Sequence, residues 1–400
     1  MSQECKFDKA WLDDVMRKVV KNLGMKFEDV RYTTIDCDPT FLSNMIFVNI
    51  IPNANDEDNE KKKTIHLVVK KQTCDVLASY LNIDEQFHNE ILFYTRYAKN
   101  QEEFARCVYA EKRSKDAVIV LENVVAERGY SVPKWHGDTP MDYTYAVLRD
   151  IAKFHGKAYA MKEHRREEFF DFVKNIQQCW NSPSSEMMMV RDVCKARATD
   201  YLRSKGRSEP LLDKFHAYME NRLTEMMMKL FEPEEPLATL CHGDLTILNV
   251  LFKKVNGELT TMFIDFAMIM YASPIVDLSV FLSLHCTTYL NKNMLNDVLK
   301  FYHECLTECL KQNGVDCEKY SYEAFHEEFK KRGVFGYTVA TYFLGILRRN
   351  EGEWCPAISK EMNIKECARL SCEAGGEKIN ILLANLLLSL KDFGCLDYFV

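Results

Sequence analysis

Residues 240–266 read LCHGDLTILNVLFKKVNGELTTMFIDF, two strand-like apolar runs joined by Asn256-Gly257. Asn-Gly between two such runs is a strong signal for a two-residue β-hairpin. With these residues at the centre of the turn, residues that face each other have numbers that add up to 513. Asn249 then lies opposite Ile264 and beside Asp265. The hairpin therefore presents an amide oxygen and a carboxylate at one point.

The polar residues around this hairpin have a chemical interpretation. Oxygen ligands that converge at a strand end suit Mg²⁺, so we expect Asn249 and Asp265 to hold magnesium. Asp244, in the loop just before, can orient an attacking hydroxyl and accept its proton. Gly243 permits a tight backbone path, and we expect His242 to tie the loop to its surroundings by hydrogen bonds. The alternative is that the three polar side chains are separate turn and strand-end caps.

Composition excludes several classes of function. The chain has 400 residues, of which 47% are hydrophobic, and a formal net charge of −7. No run of Lys and Arg is longer than the three lysines at 61–63, so we expect no nucleic-acid partner and no anionic membrane surface. The N-terminus lacks the apolar core of a signal peptide. The longest apolar stretch, residues 381–390, contains Asn385 and is too short to span a bilayer. We therefore expect a cytoplasmic monomer without membrane insertion.

The cysteines indicate reduced thiols rather than a disulfide framework. There are 15 of them, an odd number, scattered along the chain without a Cys-x-x-Cys. Cys305 and Cys309 share a helix face near His303 and are a possible metal site. A second pair of ligands at zinc-like spacing is absent from the sequence, so buried thiols are the preferred interpretation.

The order of patterns predicts an α+β chain in two lobes. We place a small antiparallel-sheet N-lobe at residues 1–124, a link near 121–126, and a large, mostly helical C-lobe at 125–400, interrupted by the hairpin. The patterns behind this division are strand-like runs at 45–51, 64–70 and 117–121, a polar loop at 53–63, an amphipathic helix at 83–99, and helical texture at 141–232 and from 277 onward.

The N-lobe contains a lysine and an acid that suit phosphate binding. Lys70 ends the strand TIHLVVK, and Glu90 lies beside the apolar stripe of the following helix. A carboxylate on a buried face is costly unless it is paired, and Lys70 is the natural partner. The alternative is a pair of solvated surface charges, since Lys71 shows that this strand end reaches water.

The segment VLENV, residues 120–124, is typical of a link between two lobes. There, backbone N–H and C=O groups at Glu122 and Val124 can bind the edge of an adenine ring.

Several motifs resemble those of a known group of enzymes. HGDLTILN followed by FIDF resembles the His-Gly-Asp-x-x-x-x-Asn and Ile-Asp-Phe pair of the aminoglycoside phosphotransferase and choline kinase superfamily, whose members have a protein-kinase-like fold. More closely, the chain resembles the ecdysteroid kinase-like proteins, also called CHK kinase-like. The resemblance runs from about residue 30 to 390, through the segments VVKK, FHNEILFY, VLENV, AKFHGKAYA, CHGDLTILNVLF and FIDFAMIMYASPIVDLSVFL.

The resemblance implies roles for individual residues. Asp244 would be the catalytic base, with Asn249 and Asp265 as magnesium ligands. Lys70 would contact phosphate, and Glu90 would hold Lys70 in place.

At other positions the resemblance leaves an alternative role open or implies no role in catalysis. Asp277 in SPIVDL matches an acid that braces the catalytic loop, although a plain helix cap is the alternative. His155 in AKFHG most resembles a packed core histidine, and we assign it no chemistry.

The phosphate-covering hairpin should lie near residues 38–50, where glycine is absent and Ser43 is a candidate phosphate contact. Ala267 follows Asp265-Phe266, so the protein-kinase Asp-Phe-Gly pattern is not matched literally.

The resemblance leads us to expect an ATP- and Mg²⁺-dependent small-molecule O-kinase. The acceptor it implies is a lipophilic alcohol such as an ecdysteroid-like steroid or a xenobiotic. A choline-type or aminoglycoside-type kinase stays open, as does a catalytically silent kinase-like binding protein. A hydrolase or lipid carrier of unrelated helical fold is a further alternative, but the sequence has no Gly-x-Ser-x-Gly.

Overall fold

The computed structural model describes most of the chain. The described residues are 8–36, 43–53, 63–72, 82–113, 116–133, 135, 137–180, 185–349 and 364–399. Within these ranges, every helix is too short or too polar to cross a lipid bilayer.

The N-terminal part is built on five strands, β1 (Val30–Asp36), β2 (Ser43–Pro52), β3 (Ile65–Gln72), β4 (Cys107–Glu111) and β5 (Val118–Glu122). They form one sheet in the order β1-β2-β3-β5-β4, with every neighbouring pair antiparallel. Two helices accompany the sheet, α1 (Lys9–Asn22) and α2 (Ile83–Leu92).

The two faces of this sheet have different partners. Val15 and Val19 of α1 share one buried cluster with Val48 and Val69 of the central strands. Because side chains alternate across a strand, Lys70 lies on the opposite face from Val69. Its side chain meets α2 there, and this alternation directs the charged group away from the apolar cluster.

The remainder of the chain is mostly helical, with one large apolar core that also takes in residues of α2. Short strands pair within it, Thr239–Cys241 with Met270–Ala272 and Val250–Val255 with Glu258–Phe263. Its elements are α3 (Val124–Arg128), α4 (Met141–His164), α5 (Arg166–Val173), α6 (Ser185–Cys194), α7 (Arg197–Ser204), α8 (Pro210–Phe231), β6 (Thr239–Cys241), β7 (Val250–Val255), β8 (Glu258–Phe263), β9 (Met270–Ala272), α9 (Ile275–His285), α10 (Lys292–Gln312), α11 (Tyr322–Arg332), α12 (Val334–Leu347), α13 (Ile364–Glu373) and α14 (Gly376–Phe393).

The hairpin at 250–263 has the register that the sequence predicts. Val250 pairs with Phe263 and Val255 with Glu258, so paired numbers add up to 513. Asn256 and Gly257 both have positive φ, 51° and 91°. Positive φ at both central residues is the conformation that Asn-Gly favours in a two-residue hairpin turn.

The predicted fold class is confirmed, with differences in detail. The strands expected at 45–51, 64–70 and 117–121 are present as β2, β3 and β5. The helix expected at 83–99 is correct only in part, because α2 ends at Leu92 and continues as a π-helical turn, Phe93–Tyr97. Most of the polar loop, residues 54–62, lies outside the described residues.

The chain changes from strand to helix within residues 121–126. β5 ends at Glu122 and α3 begins at Val124. An all-helical fold, required by the hydrolase or lipid-carrier alternative, is incompatible with the five-stranded sheet.

The metal site considered at Cys305, Cys309 and His303 does not form among the described residues. The imidazole Nε2 of His303 lies 2.7 Å from the Tyr320 carbonyl oxygen. The Cys309 thiol packs against Gly156, where an added Cβ would lie 2.7 Å from the sulfur. These side chains therefore serve packing between helices.

Replacing Gly257 with alanine tests the hairpin turn. Its Cβ would meet no atom within 4 Å, so only the positive φ opposes the substitution. We expect the free energy of unfolding to fall by about 1–2 kcal/mol, measured by urea denaturation. Asn256→Gly at the neighbouring position should change it by no more than about 0.5 kcal/mol. Equal losses in the two variants would contradict this account of the turn.

Candidate active site

Lys70 joins the sheet, α2 and the hairpin at one point. Its Nζ donates to Glu90 Oε2 and to Asp265 Oδ1, each at 2.7 Å. Lys70 is 9% exposed and Glu90 is 2% exposed, whereas 41% of the Asp265 side chain is exposed. The two acids belong to elements far apart in sequence. The expected Lys70–Glu90 pair is present and buried, so the alternative of solvated surface charges is wrong.

Burial and charge shift the pKa values of this group. Burial lowers the pKa of Lys70, but the charges of Asp265 and Glu90 outweigh it, so the net shift is upward and the amine stays protonated. Burial raises the pKa of Glu90 to about 7, opposed by Lys70 and supported by the charge of Asp265. The group therefore has one positive charge for two carboxyl groups.

Asp244 and Asn249 meet in the loop that precedes β7. The Asn249 side-chain amide donates to the Asp244 carbonyl oxygen and to Asp244 Oδ2, both at 2.9 Å. Burial raises the pKa of Asp244, and Asp265 adds to this shift while His242 and Asn249 oppose it. The backbone N–H of Ile264 donates to the Asn249 carbonyl at 3.0 Å, which keeps Asn249 beside Asp265.

Asp277 is fully buried in the first turn of α9 and holds the loop by its backbone. Its Oδ1 accepts from the Gly243 N–H at 2.8 Å, and its Oδ2 accepts from the His242 N–H at 2.7 Å. These contacts lie outside the helix, and Pro274 occupies the N-cap position. Asp277 is therefore not a plain helix cap.

His155 supports Asp277 from behind. Its Nε2 donates to Asp277 Oδ2 at 3.0 Å, because a carboxylate only accepts, and its Nδ1 accepts from the Tyr302 hydroxyl at 2.7 Å. The sequence correctly indicated a buried histidine but missed this contact. No local signal could have found it, since the two residues are 122 positions apart.

His285, at the other end of α9, holds the far side of the loop. Its Nε2 accepts from the Ile247 N–H at 3.0 Å. Burial, aided by the positive charge of Arg348, lowers the pKa of His285 to about 3. The imidazole is therefore neutral and remains an acceptor. This residue was also missed from sequence, because its partner lies in a different element.

His242 behaves as expected from the sequence. Its Nε2 donates to the Ile264 carbonyl at 3.0 Å, and its Nδ1 accepts from the Asp244 N–H at 3.3 Å. The ring also packs on Phe266, with 4.7 Å between ring centres. His242 thus connects the loop that carries Asp244 to the residues just before Asp265.

Phe266 continues this connection into α2 and the π-helical turn that follows it. Its ring stacks on Phe93 with 3.6 Å between ring centres and an interplanar angle of 11°. Asn89 of α2 donates to the Ala267 carbonyl at 3.3 Å. The segment after Asp265 is therefore packed under the helix that carries Glu90, although Ala267 stands where protein kinases have glycine.

Gly243 is required by close packing. Its φ is +82°, and an added Cβ would lie 1.8 Å from the Met268 carbonyl oxygen. Contacts below 3.0 Å are essentially never seen for a real Cβ, so the loop or the segment at Met268 would have to move.

The remaining residues that we predicted to bind the nucleotide are Glu122, Val124 and Ser43, which lie in the sheet or directly after it. The N–H of Glu122 donates to the Arg106 carbonyl at 2.9 Å, and its carboxylate binds Arg128. Val124 begins α3, which Asn123 caps by accepting from the Ala126 N–H at 3.3 Å. Ser43 begins β2 opposite Gln72, and residues 37–42 before it lie outside the described residues.

The donor set fits a magnesium ion. The Asn249 side-chain NH₂ group donates to Asp244, which leaves the side-chain oxygen Oδ1 as the group available to a cation. The Asp265 carboxylate is partly exposed, and its backbone lies in the left-handed region with φ 64°. Carboxylate and amide oxygens are ligands that Mg²⁺ accepts together with phosphate and water.

A small antiparallel sheet with a buried Lys–Glu pair, joined to a helical part that carries the Asp244 loop and the hairpin, is the architecture of a kinase-like protein. The ecdysteroid kinase-like family model matches residues 39–315, more than half of the chain. The chain belongs to this family. The curated proteins include no match to it.

Two solved structures are similar to the chain at low sequence identity. A microcompartment-associated aminopropanol kinase has 10% identity and a TM-score of 0.46, with 97% of this chain and 99% of that chain covered. A protein described as a fructosamine-3-kinase, from Haemophilus somnus 129PT, has 9% identity and a TM-score of 0.36, with 89% and 96% covered.

Gly243→Ala should destabilise the protein more than Gly257→Ala, although both glycines have positive φ. We expect the first to lower the free energy of unfolding by more than about 3 kcal/mol, because overlap with backbone adds to conformational strain. Gly257→Ala measures the conformational strain alone, because its Cβ meets no other atom. Equal changes in denaturant midpoint would show that the loop has room for a side chain.

Asp277→Asn should lower the free energy of unfolding by about 2–4 kcal/mol. The amide has one acceptor oxygen, so its NH₂ group would face a backbone N–H of His242 or Gly243. Asp171→Asn, at an exposed surface ion pair, is the control and should change stability by less than about 0.5 kcal/mol. A stable Asp277→Asn variant would contradict the bracing role.

Proposed function

We propose that this protein is an ATP- and Mg²⁺-dependent small-molecule O-kinase. Family membership supports a phosphotransferase that acts on a small molecule. The observation that carries the proposal is the buried lysine held between Glu90 and Asp265, next to a loop that presents Asp244 and Asn249. Phosphoryl transfer depends mostly on positioning and charge stabilisation, and this group supplies both.

The nucleotide would lie between the sheet and the helical part. We assign residues 1–124 to the covering lobe, with the link at 121–126 and the acceptor side in 125–400. Lys70 would bind phosphate oxygens, and Glu90 would hold its amine in place. Since the Glu122 N–H is already used by Arg106, adenine would meet the Glu122 carbonyl and the Val124 N–H. Ser43 would lie near the phosphates at the start of β2.

Asn249 and Asp265 would hold the metal. Bound there, Mg²⁺ would neutralise charge on the nucleotide phosphates. The Asn249 side chain is oriented by Asp244, and Asp265 is fixed by Lys70 on one side and by the hairpin on the other. Both ligands therefore belong to a rigid part of the fold rather than to a free loop.

Asp244 would orient the acceptor hydroxyl and accept its proton. Burial raises its pKa, so the carboxylate is a stronger base than an exposed aspartate, while Asn249 stabilises its ionised form. His242 and Asp277 act by positioning the loop. Asp277 holds two backbone N–H groups next to Asp244, and His242 bonds to the Asp244 N–H.

We propose a lipophilic alcohol, ecdysteroid-like or xenobiotic, as the acceptor. The support is family membership alone, and a choline-type or aminoglycoside-type acceptor is the alternative. Location in the cytoplasm and the monomeric state stay predictions from the sequence.

The test is incubation of the purified chain with γ-labelled ATP, Mg²⁺ and a panel of steroid, choline-like and xenobiotic alcohols. Mass spectrometry should detect the addition of one phosphate to a hydroxyl of a panel member. A MgATP-dependent rise in melting temperature without phosphorylation of any alcohol would favour the catalytically silent binding protein.

Two substitutions should separate catalysis from metal binding. Asp244→Asn should lower kcat by about 10²–10⁴-fold with little change in the KM for ATP, because only the base is lost. Asp265→Asn should instead weaken Mg²⁺-dependent nucleotide binding, seen as a smaller MgATP-induced rise in melting temperature. Asp171→Asn, exposed on the surface, is the control for both. Wild-type turnover in either variant would contradict the assigned roles.

A further inference from the structure

Residues 175–180 come shortly after α5 and lie against α2, and we call them the strap. Asn89 of α2 is fully buried and binds the strap with both ends of its carboxamide. Its Oδ1 accepts from the Gln177 N–H, and its Nδ2 donates to the Gln177 carbonyl, each at 2.8 Å. This two-point pairing fixes the orientation of the Asn89 side chain, because a reversed amide would place donor against donor and acceptor against acceptor.

Two more side chains join the strap to the region of α2. His88 Nε2 donates to the Asn175 carbonyl at 2.9 Å, while its Nδ1 accepts from Lys112 Nζ at 2.8 Å. Asn82, just before the helix, donates from its side chain to the Cys179 carbonyl at 3.2 Å. The strap is therefore bonded to this region at the start of α2 and again in its second half.

The strap and Asn89 also contact the segments that carry the proposed metal ligand and base. Asn89 Nδ2 lies 3.3 Å from the carbonyl oxygen of Ala267, two residues after Asp265. At the end of the strap, the indole Nε1 of Trp180 donates at 3.0 Å to the carbonyl of Gly243, which directly precedes the proposed base. The strap thus ties α2 to the helical part of the chain.

Asn89 stands next to Glu90, and successive residues of a helix point about 100° apart. Glu90 faces Lys70, at 2.7 Å, while Asn89 faces the strap. A rotation or shift of α2 that moved Glu90 away from Lys70 would therefore also break the pairing of Asn89 with the strap. It would leave the N–H and C=O of Gln177 without their partner, which is costly for buried polar groups.

We propose that Asn89 is a positioning residue for MgATP binding, which holds α2 against the strap so that Glu90 stays on Lys70. This role rests on the proposed ATP-dependent function and adds how the lysine is kept in place before a nucleotide arrives. The competing explanation is that Asn89 contributes to stability alone, in which case a folded variant would bind MgATP as well as the wild type.

Asn89→Ala should weaken MgATP binding by about tenfold, because a small misplacement of Glu90 also misplaces the amine that meets the phosphates. The measurement is the Kd for MgATP by isothermal titration of the full chain, which needs no acceptor alcohol.

Asn82→Gly is the matched control. It removes another side-chain bond to the strap, and glycine keeps the positive φ of 53° at this position. Because Asn82 does not adjoin Glu90, this variant should keep the Kd within about twofold of the wild-type value.

A double-mutant cycle with Glu90→Gln tests whether Asn89 acts through its neighbour. In the Glu90→Gln background, Asn89→Ala should weaken MgATP binding by no more than about twofold further, because the group that Asn89 positions has already been lost. A further loss of about tenfold would mean that the two residues act independently, and would contradict the proposed role.

Amide hydrogen exchange of the wild-type chain gives a test that needs no variant. The Gln177 N–H is held by a buried side chain, so we expect it to exchange as slowly as the amides of α2. Exchange at the rate of an unfolded peptide would overturn the role of Asn89. Melting temperatures establish that the variants are folded. If Asn89→Ala is not, Asn89→Ser, with a hydroxyl in place of the amide, takes its place in the cycle.

The outcomes separate the two proposals. Equal MgATP affinity of the wild type and a folded Asn89→Ala variant would overturn the role of Asn89 and leave the ATP-dependent function intact. A wild-type chain that does not bind MgATP would refute the proposed function and this role with it.

Discussion

The amine of Lys70 is buried between two carboxylates, and the geometry of the whole site depends on this one cation. Burying an unpaired ammonium is expensive, so the residue is tolerated only where opposite charges meet it. One of these charges comes from α2 and the other from the end of the hairpin. The sheet, the helix and the hairpin must therefore be assembled together before Lys70 is neutralised. Stacking of Phe266 on Phe93 adds an apolar contact between the same two regions.

α9 is the second fixed element of the site. Asp277 near its start binds two backbone N–H groups of the loop that carries Asp244, and His285 at its end binds a third. A loop held by its backbone at both ends keeps its side chains in place without using them, which leaves Asp244 and Asn249 available for the proposed chemistry. The close approach of Gly243 to Met268 shows how little freedom this loop has.

Features with a local cause were predictable from the sequence. Asn256-Gly257 sets the hairpin register, and alternation along β3 separates Lys70 from the apolar face. The strands β1 and β4 were missed for a physical reason. They are the two edges of the sheet, so β1 is mostly exposed and β4 is half-buried throughout, and neither shows a clear alternation of apolar and polar residues.

By itself, the sequence determined the hairpin, its register, and the types of side chain that surround it, because turn chemistry and strand alternation act over a few residues. Only the tertiary structure decided that Asp277 braces the loop and that His155 and His285 support it. Each of these contacts joins separate elements, and the His155–Asp277 contact spans 122 positions. Side chains so far apart meet only where packing of the helical core brings their elements together, and no local pattern records that packing.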